Sequence, residues 1–319
     1  MDSWTAASPV RPVRPVLKWV GGKRQLLPEL RQHYPQRFER YFEPFLGSGA
    51  VFLDLYNQGR LRGRSARLSD VNADVIGCYR MLRDAADEVI RHLRRLDAEY
   101  RKHGRAHFYD VRDARFNPAR RKAHTCPNPS VAYTPLLAAM VIYLNRAGFN
   151  GLYRVNSKGS YNVPPGRNTS IRICDPVKVR AMSEALSAPG VTLAVARFED
   201  ALADAGRSDF AYLDPPYAAV GATPSFTAYT SQGFGAAAHA ALHATVLQLA
   251  VRGAHVLLSH STAPAVSNLY DAAAVRDVGL AVRTVEARRS VNARPARRAG
   301  ASEYLITNVV APNPSAEFV

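Results

Sequence analysis

The stretch that decides the fold is Asp209-Phe210-Ala211-Tyr212-Leu213-Asp214-Pro215-Pro216-Tyr217. Its alternating apolar run predicts a buried strand, and that strand ends abruptly in a carboxylate, two prolines and an aromatic ring. Because neither proline has a backbone N–H and each fixes φ, the chain must leave the sheet in a stiff turn with free carbonyl groups. Asp214 and Tyr217 are therefore expected at the carboxyl edge of the sheet, where open α/β folds bind ligands. An Asp-Pro pair also begins ordinary turns, which is the competing interpretation.

An earlier segment, residues 41–50, reads YFEPFLGSGA and predicts a strand, a tight glycine loop and a helix N-terminus. The loop lacks the complete G-x-G-x-x-G pattern, so alone it is a weak signal. A second strand, predicted at 66–70, ends in Asp70, 21 positions after Gly49. An acid near this spacing can accept hydrogen bonds from ribose hydroxyls, so the two features together favour an adenosyl ligand. Asp70 could instead cap the helix predicted at 72–82.

The other apolar runs complete the prediction of an α/β fold with a nucleotide-binding type of sheet. The predicted elements are strands at 191–196 and 255–259, a helix at 234–251, and a last antiparallel pair at 282–291 and 303–310. Only the two ends of the chain, residues 1–15 and 313–319, are expected to be disordered.

The middle of the chain has a different organisation. From residue 75 to about 140 helical periodicity replaces the strands, which predicts a basic, mainly helical insertion. It ends in residues 144–164, where two short extended runs flank the polar tip at 156–159 and predict a β-hairpin. Interleaved Arg, Asn, Tyr and Phe side chains suit the reading of a nucleic-acid groove. An ordinary exposed hairpin would have the same spacing.

The composition favours a polyanionic partner. The chain has 42 basic and 26 acidic residues, a formal net charge of +16 and a pI near 10.1. Neutralising phosphates with such charges releases counterions, although charge alone does not separate DNA from RNA or a membrane surface. No stretch reaches the roughly 18 uninterrupted apolar residues of a membrane span, and no signal core is present, so a cytoplasmic location is expected. The three cysteines are too scattered for disulfides or a zinc site.

Near the start, residues 17–23 read LKWVGGK. The paired glycines allow close backbone approach, while Trp19 offers a stacking face and Lys23 a cation. A buried tryptophan beside a simple glycine turn is the alternative.

Five stretches in this order, WVGGK, EPFLGSG, SDVN, NGLYR and DPPY, resemble the Dam-type (D12 class) DNA adenine-N6 methyltransferases. The resemblance extends from about residue 17 to 305. It implies a Rossmann-like, S-adenosylmethionine-dependent methyltransferase domain formed by 16–74 and 176–312, and a target-recognition domain at 75–175 that carries the hairpin. It also implies S-adenosylmethionine as cofactor and double-stranded DNA as partner. No metal and no membrane partner are implied, and we expect a monomer.

The resemblance also assigns residues. The implied catalytic residues are Asp214, Pro215, Pro216 and Tyr217. The implied cofactor residues are Trp19, Lys23, Glu43, Phe45, Gly47, Gly49, Asp70 and Asp214. The implied DNA contacts are Lys18, Asn150, Leu152, Arg154, Pro164, Arg167, Arg288 and Arg289. GATC is the most familiar target of proteins with this hairpin, but segment 105–135 is longer than in typical relatives, which leaves the sequence preference open.

The residues themselves explain the chemistry. The exocyclic amine of adenine is a poor nucleophile because its lone pair is delocalised into the ring. Asp214 and the carbonyl of Pro215 could accept both N–H hydrogens, and these bonds strengthen as the nitrogen becomes positive. Tyr217 would stack on an adenine turned out of the duplex.

Other functions remain as alternatives. Cytosine-N4 methylation would more typically place serine, and protein glutamine methylation asparagine, at position 214. An RNA adenine methyltransferase could share the fold. A nicotinamide oxidoreductase would be expected to have the full glycine pattern and a proton-relay residue near Asp214. A catalytically inactive DNA-binding protein would be expected to lack Asp214 or Tyr217.

Overall fold

The computed structural model describes residues 12–167, 171–217, 234–271, 273–287 and 301–310. Its strands are β1 (Arg40–Glu43), β2 (Ser65–Asp70), β3 (Val191–Val195), β4 (Phe210–Leu213), β5 (His255–Ser261), β6 (Ala281–Ala287) and β7 (Ala301–Thr307). They form one seven-stranded sheet in the order β3-β2-β1-β4-β5-β7-β6. The first five strands in this order are parallel, and β7 is antiparallel to β5 and β6. The predicted α/β class, the five strands and the last antiparallel pair are confirmed, with bounds shifted by a few residues; positions 288–291 of the predicted pair lie outside the described residues.

The helices are α1 (Leu27–Arg31), α2 (Ala50–Asn57), α3 (Ala73–Asp84), α4 (Ala86–Tyr109), α5 (Asn117–Ala123), α6 (Pro135–Ala147), α7 (Pro176–Leu186), α8 (Phe198–Ala201), α9 (Ala236–Val251), α10 (Pro264–Tyr270) and α11 (Ala273–Asp277). A π-helical segment, Asp110–Phe116, joins α4 to α5. The predicted helices at 72–82 and 234–251 are confirmed as α3 and α9. No helix among the described residues has the length and apolar character needed to cross a membrane.

The sheet is buried on both faces. Alternate side chains of the central strands point to opposite sides, so Tyr41 and Phe210 join one core while Phe42 and Ala211 join the other. The first core also contains apolar residues of α2, α3, α4, α6 and α7, and the second contains those of α9 and α10. In β4 this two-sided burial agrees with a sequence in which all four residues, Phe210–Leu213, are apolar.

The strand order fixes where a ligand can bind. From β1 the chain moves outward through β2 to β3, then returns to place β4 on the other side of β1. The order therefore reverses between β1 and β4, and the crevice at their carboxyl ends is the expected binding place in an open α/β sheet. Because β7 is antiparallel, its amino-terminal end lies at this same edge.

The inserted region contributes helices and an irregular hairpin. Among its described residues, 75–167 and 171–175, none belongs to the sheet. The predicted hairpin is present, but its two sides pair only locally: one antiparallel bridge joins Val155 to Tyr161 across the tip, and a second joins Gly148 to Pro165. Prolines cannot donate to a ladder, and Asn150 adopts a left-handed φ of 54°, so the pairing is interrupted. The division into two domains stays a prediction.

The last part of the predicted amino-terminal leader, from residue 12 to residue 15, is ordered and contacts the rest of the protein. Val13 is buried, and its backbone N–H and carbonyl both bond to the Asn57 side chain, at 2.8 and 3.0 Å. An amide side chain can satisfy both groups of an extended residue in this way. The expected disorder at 12–15 is therefore wrong, while residues 1–11 and the expected tail at 313–319 lie outside the described residues.

Candidate active site

A cavity of about 480 Å³ opens at the carboxyl edge of the sheet, beside β1 and β4. Its lining contains ten of the residues named from the sequence: Trp19, Lys23, Glu43, Phe45, Gly47, Asp70, Asp214, Pro215, Pro216 and Tyr217. Gly49 does not line it but precedes α2 as the N-cap residue, with φ 66°. The structure thus places these distant motifs in one crevice, and the turn after β4 is part of it.

Asp214 is held from one side. Its Oδ1 lies 2.7 Å from Nζ of Lys23 and accepts a hydrogen bond from the Ser259 hydroxyl at 3.3 Å. Ser259 is in turn 3.0 Å from the hydroxyl of Tyr212. Burial raises the pKa of Asp214 to about 6, although the Lys23 ammonium opposes the shift. The carboxylate is therefore ionised above about pH 6, and among the described residues no donor bonds to Oδ2.

The glycine loop is fixed by its backbone. Gly47 donates its N–H to Oδ2 of Asp70 at 3.0 Å, and its carbonyl accepts a bond from the Tyr79 hydroxyl at 2.8 Å. Asp70 Oδ1 accepts the N–H of Asn72, and Asn72 rather than Asp70 caps α3. The capping alternative for Asp70 is wrong, because its carboxylate turns toward the loop instead of the helix. Burial raises the pKa of Asp70 to about 6.

Glu43 ends β1 beneath the cavity and is almost fully buried. Its Oε2 accepts bonds from the Tyr41 hydroxyl at 2.7 Å and the Phe52 N–H at 3.0 Å. Burial nevertheless raises the pKa of Glu43 to about 8. At neutral pH this carboxyl is therefore mainly protonated and can donate a hydrogen bond.

Several cavity residues were not indicated by the sequence. Phe198 comes after β3 and stacks on Phe45 with ring centroids 5.5 Å apart, and Glu199 beside it lines the same wall. Ser259 supports Asp214, and Glu303 lies 3.9 Å from Lys23. Phe198 and Glu199 could have been found by inspecting the residues just after each predicted strand. Ser259 and Glu303 lie inside strands, where the sequence carries no comparable signal.

The predicted DNA contacts that the structure describes lie on the inserted region, except for Lys18, which precedes it. Lys18, Asn150, Pro164 and Arg167 are exposed, Arg154 is half-buried with its Nε bonded to Asn162 at 2.8 Å, and Leu152 is buried. Arg288 and Arg289 lie outside the described residues. The group is joined to the cavity because Trp19 stacks on Tyr153, with ring centroids 6.0 Å apart. Lys18 is exposed immediately beside this contact.

Asp74 is a further residue that the sequence did not reveal. It lies in the first turn of α3, is fully buried, and accepts hydrogen bonds from Arg120, His124, Tyr133 and Tyr153. These donors come from α5, the segments around it and the hairpin. No group of His, Cys, Asp and Glu suited to a metal ion occurs within the described ranges.

Comparison with known proteins identifies the family of the chain. A family model described as D12 class N6 adenine-specific DNA methyltransferase matches residues 19–286. Type II methyltransferase M1.LlaDCHI of Lactococcus lactis subsp. cremoris is 33% identical over 296 residues, 93% of this chain and 95% of that protein. Type II methyltransferase M.MjaIII of Methanocaldococcus jannaschii is 32% identical over 307 residues, 93% and 99% of the two chains. DNA adenine methylase of Salmonella typhi is 30% identical over 292 residues, 92% and 94% of the two chains.

Among solved structures, the rRNA methyltransferase aviRa from Streptomyces viridochromogenes aligns over 95% of this chain and 88% of its own, with 14% identity. The TM-score of this alignment is 0.33. The sequence relatives and the family model both span most of the chain, including the cavity motifs and the hairpin. The chain belongs to the D12 class of N6 adenine-specific DNA methyltransferases.

Proposed function

We propose that the cavity binds S-adenosylmethionine and that Asp214 and the Pro215 carbonyl accept the two N6 hydrogens of an adenine turned out of duplex DNA. The observation that carries this proposal is the Asp214 carboxylate, which lines the same cavity as the glycine loop and has both its described contacts at Oδ1. Oδ2 is left for an incoming donor. No described group donates to the Pro215 carbonyl oxygen either, as expected after a proline turn.

The residues around the cavity fit the cofactor. Glu199 Oε2 is buried with no hydrogen-bond partner among the described residues, so this wall has an acceptor to offer a ligand. The stacked rings of Phe45 and Phe198 provide an apolar face for an adenine ring. The residues proposed to hold the cofactor are Trp19, Lys23, Glu43, Phe45, Gly47, Gly49, Asp70 and Asp214. When bound, S-adenosylmethionine supplies an activated methyl group on a positively charged sulfur.

Asp214 is proposed to act as a hydrogen-bond acceptor. Two acceptors on the amine hold it in one orientation and draw its lone pair out of the ring. The bond to a carboxylate is the stronger of the two, and it gains further strength as positive charge develops on nitrogen. Lys23 and Ser259 hold the carboxylate in place, so little reorganisation is needed during the reaction. Tyr217 is proposed to stack on the extruded base.

Labelling of DNA tests the proposal. Purified protein with tritiated S-adenosylmethionine is expected to label duplex DNA, and digestion to nucleosides should place the label on N6-methyldeoxyadenosine. Label on N4-methyldeoxycytidine, or label only on RNA, would support the alternative substrates. The absence of transfer to any nucleic acid, with cofactor binding retained, would refute the proposal.

The same assay examines the target sequence. We propose that residues 144–164, with Lys18 and Arg167, read the duplex, and GATC is the first target to test. Two duplexes that differ by one base pair within GATC are expected to differ strongly in labelling. Each base pair that departs from the recognised sequence typically costs about 1–3 kcal/mol of binding free energy. Equal labelling of both duplexes would show another target. Sequencing of modified bases in an expressing host would then identify it.

Gly47→Ala is expected to weaken S-adenosylmethionine binding about tenfold by calorimetry, because overpacking distorts the cavity wall. A Cβ at this position would lie 2.7 Å from Cδ1 of Trp19, at a φ of +46° that disfavours side chains. Gly63→Ala is the matched control, since it has φ +69° with no atom within 4 Å of the added Cβ. If both variants lost a similar amount of affinity for S-adenosylmethionine, backbone strain alone would explain the effect and the prediction would be contradicted.

A further inference from the structure

Glu303 is a buried carboxylate that the proposed mechanism does not use. It lies near the amino-terminal end of β7, where its Cα pairs with Ser261 of β5. Because β7 is antiparallel to β5, this end of the strand reaches the carboxyl edge of the parallel strands, beside the turn after β4. The side chain is only 9% exposed. A charged group at such depth normally has a hydrogen-bonded partner.

The contacts of Glu303 are incomplete. Its Oε2 lies 3.9 Å from Nζ of Lys23, within ion-pair range but beyond a hydrogen bond, and has no hydrogen-bond partner in the described part of the chain. The buried hydroxyl of Tyr217 also has no partner at hydrogen-bond distance there, although it faces Glu303 closely enough for that carboxylate to help raise the pKa of Tyr217, after burial and Asp214. Lys23, whose side chain is 3% exposed, donates to the Gly21 carbonyl and contacts Asp214, both at 2.7 Å. Its Nζ is 4.9 Å from the centroid of the Tyr217 ring. One ammonium group therefore lies among two carboxylates and the catalytic ring.

We propose that Glu303 is a positioning residue for methyl transfer, a second buried carboxylate that shares the Lys23 ammonium with Asp214 and so preserves Asp214 as a strong acceptor for the adenine amine. This inference rests on the proposed function. An ammonium paired with Asp214 alone would neutralise the carboxylate and compete with the amine for it. The negative charge of a second carboxylate, 3.9 Å from the same ammonium, offsets part of the positive potential that Lys23 places on Asp214. Glu303 acts through Lys23 and Tyr217, and no contact with the substrate is required.

The charges around Asp214 agree with this role. The groups that face it and Lys23 are Glu43, Tyr212, Tyr217, His260 and Glu303. Burial keeps the two tyrosines neutral by raising their pKa, and it lowers the pKa of His260 to about 3, so that this ring is also neutral. Glu43 is mainly protonated at neutral pH because its pKa is raised to about 8. Glu303 is thus the second carboxylate able to oppose Lys23, and it contributes to the raised pKa of Asp214 after burial.

Glu303→Gln tests the inference, because it removes the charge with little change in size. With saturating cofactor and duplex DNA, the single-turnover rate at pH 8 should fall about tenfold, while KM for each substrate changes less than about threefold. The acidic limb of the rate profile should move to lower pH by about half a unit, since Asp214 loses a neighbouring negative charge. A purely structural role would not move this limb. Glu303→Asp, which keeps the charge but retracts it, should fall between the wild type and Glu303→Gln.

Glu286→Gln on the adjacent strand is the matched control, because that side chain is exposed, and it should leave the profile unchanged. A folded Glu303→Gln protein with the wild-type rate and an unmoved acidic limb would overturn the inference. If Glu303→Gln does not fold, a wild-type single-turnover rate in Glu303→Asp would do the same, because the retracted charge is expected to lower that rate. Failure of the wild-type protein to methylate DNA would instead refute the proposed function, so the two failures are distinguishable.

Discussion

Asp214→Asn is expected to lower the single-turnover rate of methyl transfer by about 10³-fold, the scale seen when one preorganised electrostatic group is removed from an active site. Asparagine has nearly the same shape and retains one acceptor oxygen. It lacks the charge that strengthens the hydrogen bond as the amine becomes positive. Asp214→Ala removes the acceptor altogether and should abolish labelling. Both variants should still bind duplex DNA, because Asp214 lies in the cavity and the exposed basic side chains of the inserted region are unchanged.

The pH profile gives a second measurement for this variant. In the wild type the rate should fall as pH decreases through about 6, because burial raises the pKa of Asp214 to about 6 and the protonated carboxyl is a poor acceptor. Asp214→Asn has no proton to gain, so its residual rate should lack this acidic limb. Asp200→Asn, an exposed change at the start of α8, serves as the control. A rate within a few fold of the wild type, or an unchanged acidic limb in Asp214→Asn, would contradict the role given to Asp214.

The sequence predicted the parts of the site that local chemistry determines. Asp214 and Tyr217 were placed correctly because a strand followed by two prolines can end only in a turn at the sheet edge. Gly47 and Asp70 were placed in one site because the spacing from a glycine loop to the next strand end is set by one βα unit. The central strand β4 was found because burial on both faces selects apolar residues throughout Phe210–Leu213.

Other features depend on the order of strands in space. Glu303 comes close to Lys23 only because β7 runs antiparallel beside β5, and a carboxylate in a strand has no local pattern that indicates this. Ser259 reaches Asp214 for a similar reason, since β5 lies next to β4. The place of the hairpin was predicted, but short extended runs in a sequence do not indicate how far the two sides pair, and only two bridges form. Asp74 escaped notice because an acid in the first turn of a helix is usually explained by the helix dipole.

Asp74→Asn is expected to lower the free energy of unfolding by about 3 kcal/mol at pH 7, the scale for breaking a buried ion pair. Asp74 is fully buried and accepts bonds from Arg120 and Tyr153, and Arg120 also donates to the Gly159 carbonyl at the hairpin tip. Although burial acts to raise the pKa of Asp74, the hydrogen bond from His124 and the charge of Arg120 lower it to about 2. A carboxylate whose pKa is lowered by folding stabilises the folded state above about pH 4. This stabilisation is lost as the pH falls toward 2 and the carboxylate is protonated. The difference in the free energy of unfolding between Asp74→Asn and the wild type should therefore become smaller as the pH falls toward 2.

The same substitution should separate DNA reading from cofactor binding. The Asp74 network joins α3 to α5 and the hairpin, whereas the glycine loop is held by Asp70 through separate bonds. We therefore expect discrimination between target and altered duplexes to fall about tenfold, with cofactor affinity changed less than about threefold. Urea unfolding measures the loss of stability, and competition binding measures the loss of target discrimination. Tyr153→Phe, which removes one hydrogen-bond donor to Asp74, should cause smaller losses of both.

Asp87→Asn is the control. It breaks an exposed ion pair with Arg180 and should lower the free energy of unfolding by under about 1 kcal/mol. If Asp74→Asn were as harmless as that control, the Asp74 network would not be what holds the hairpin against α3.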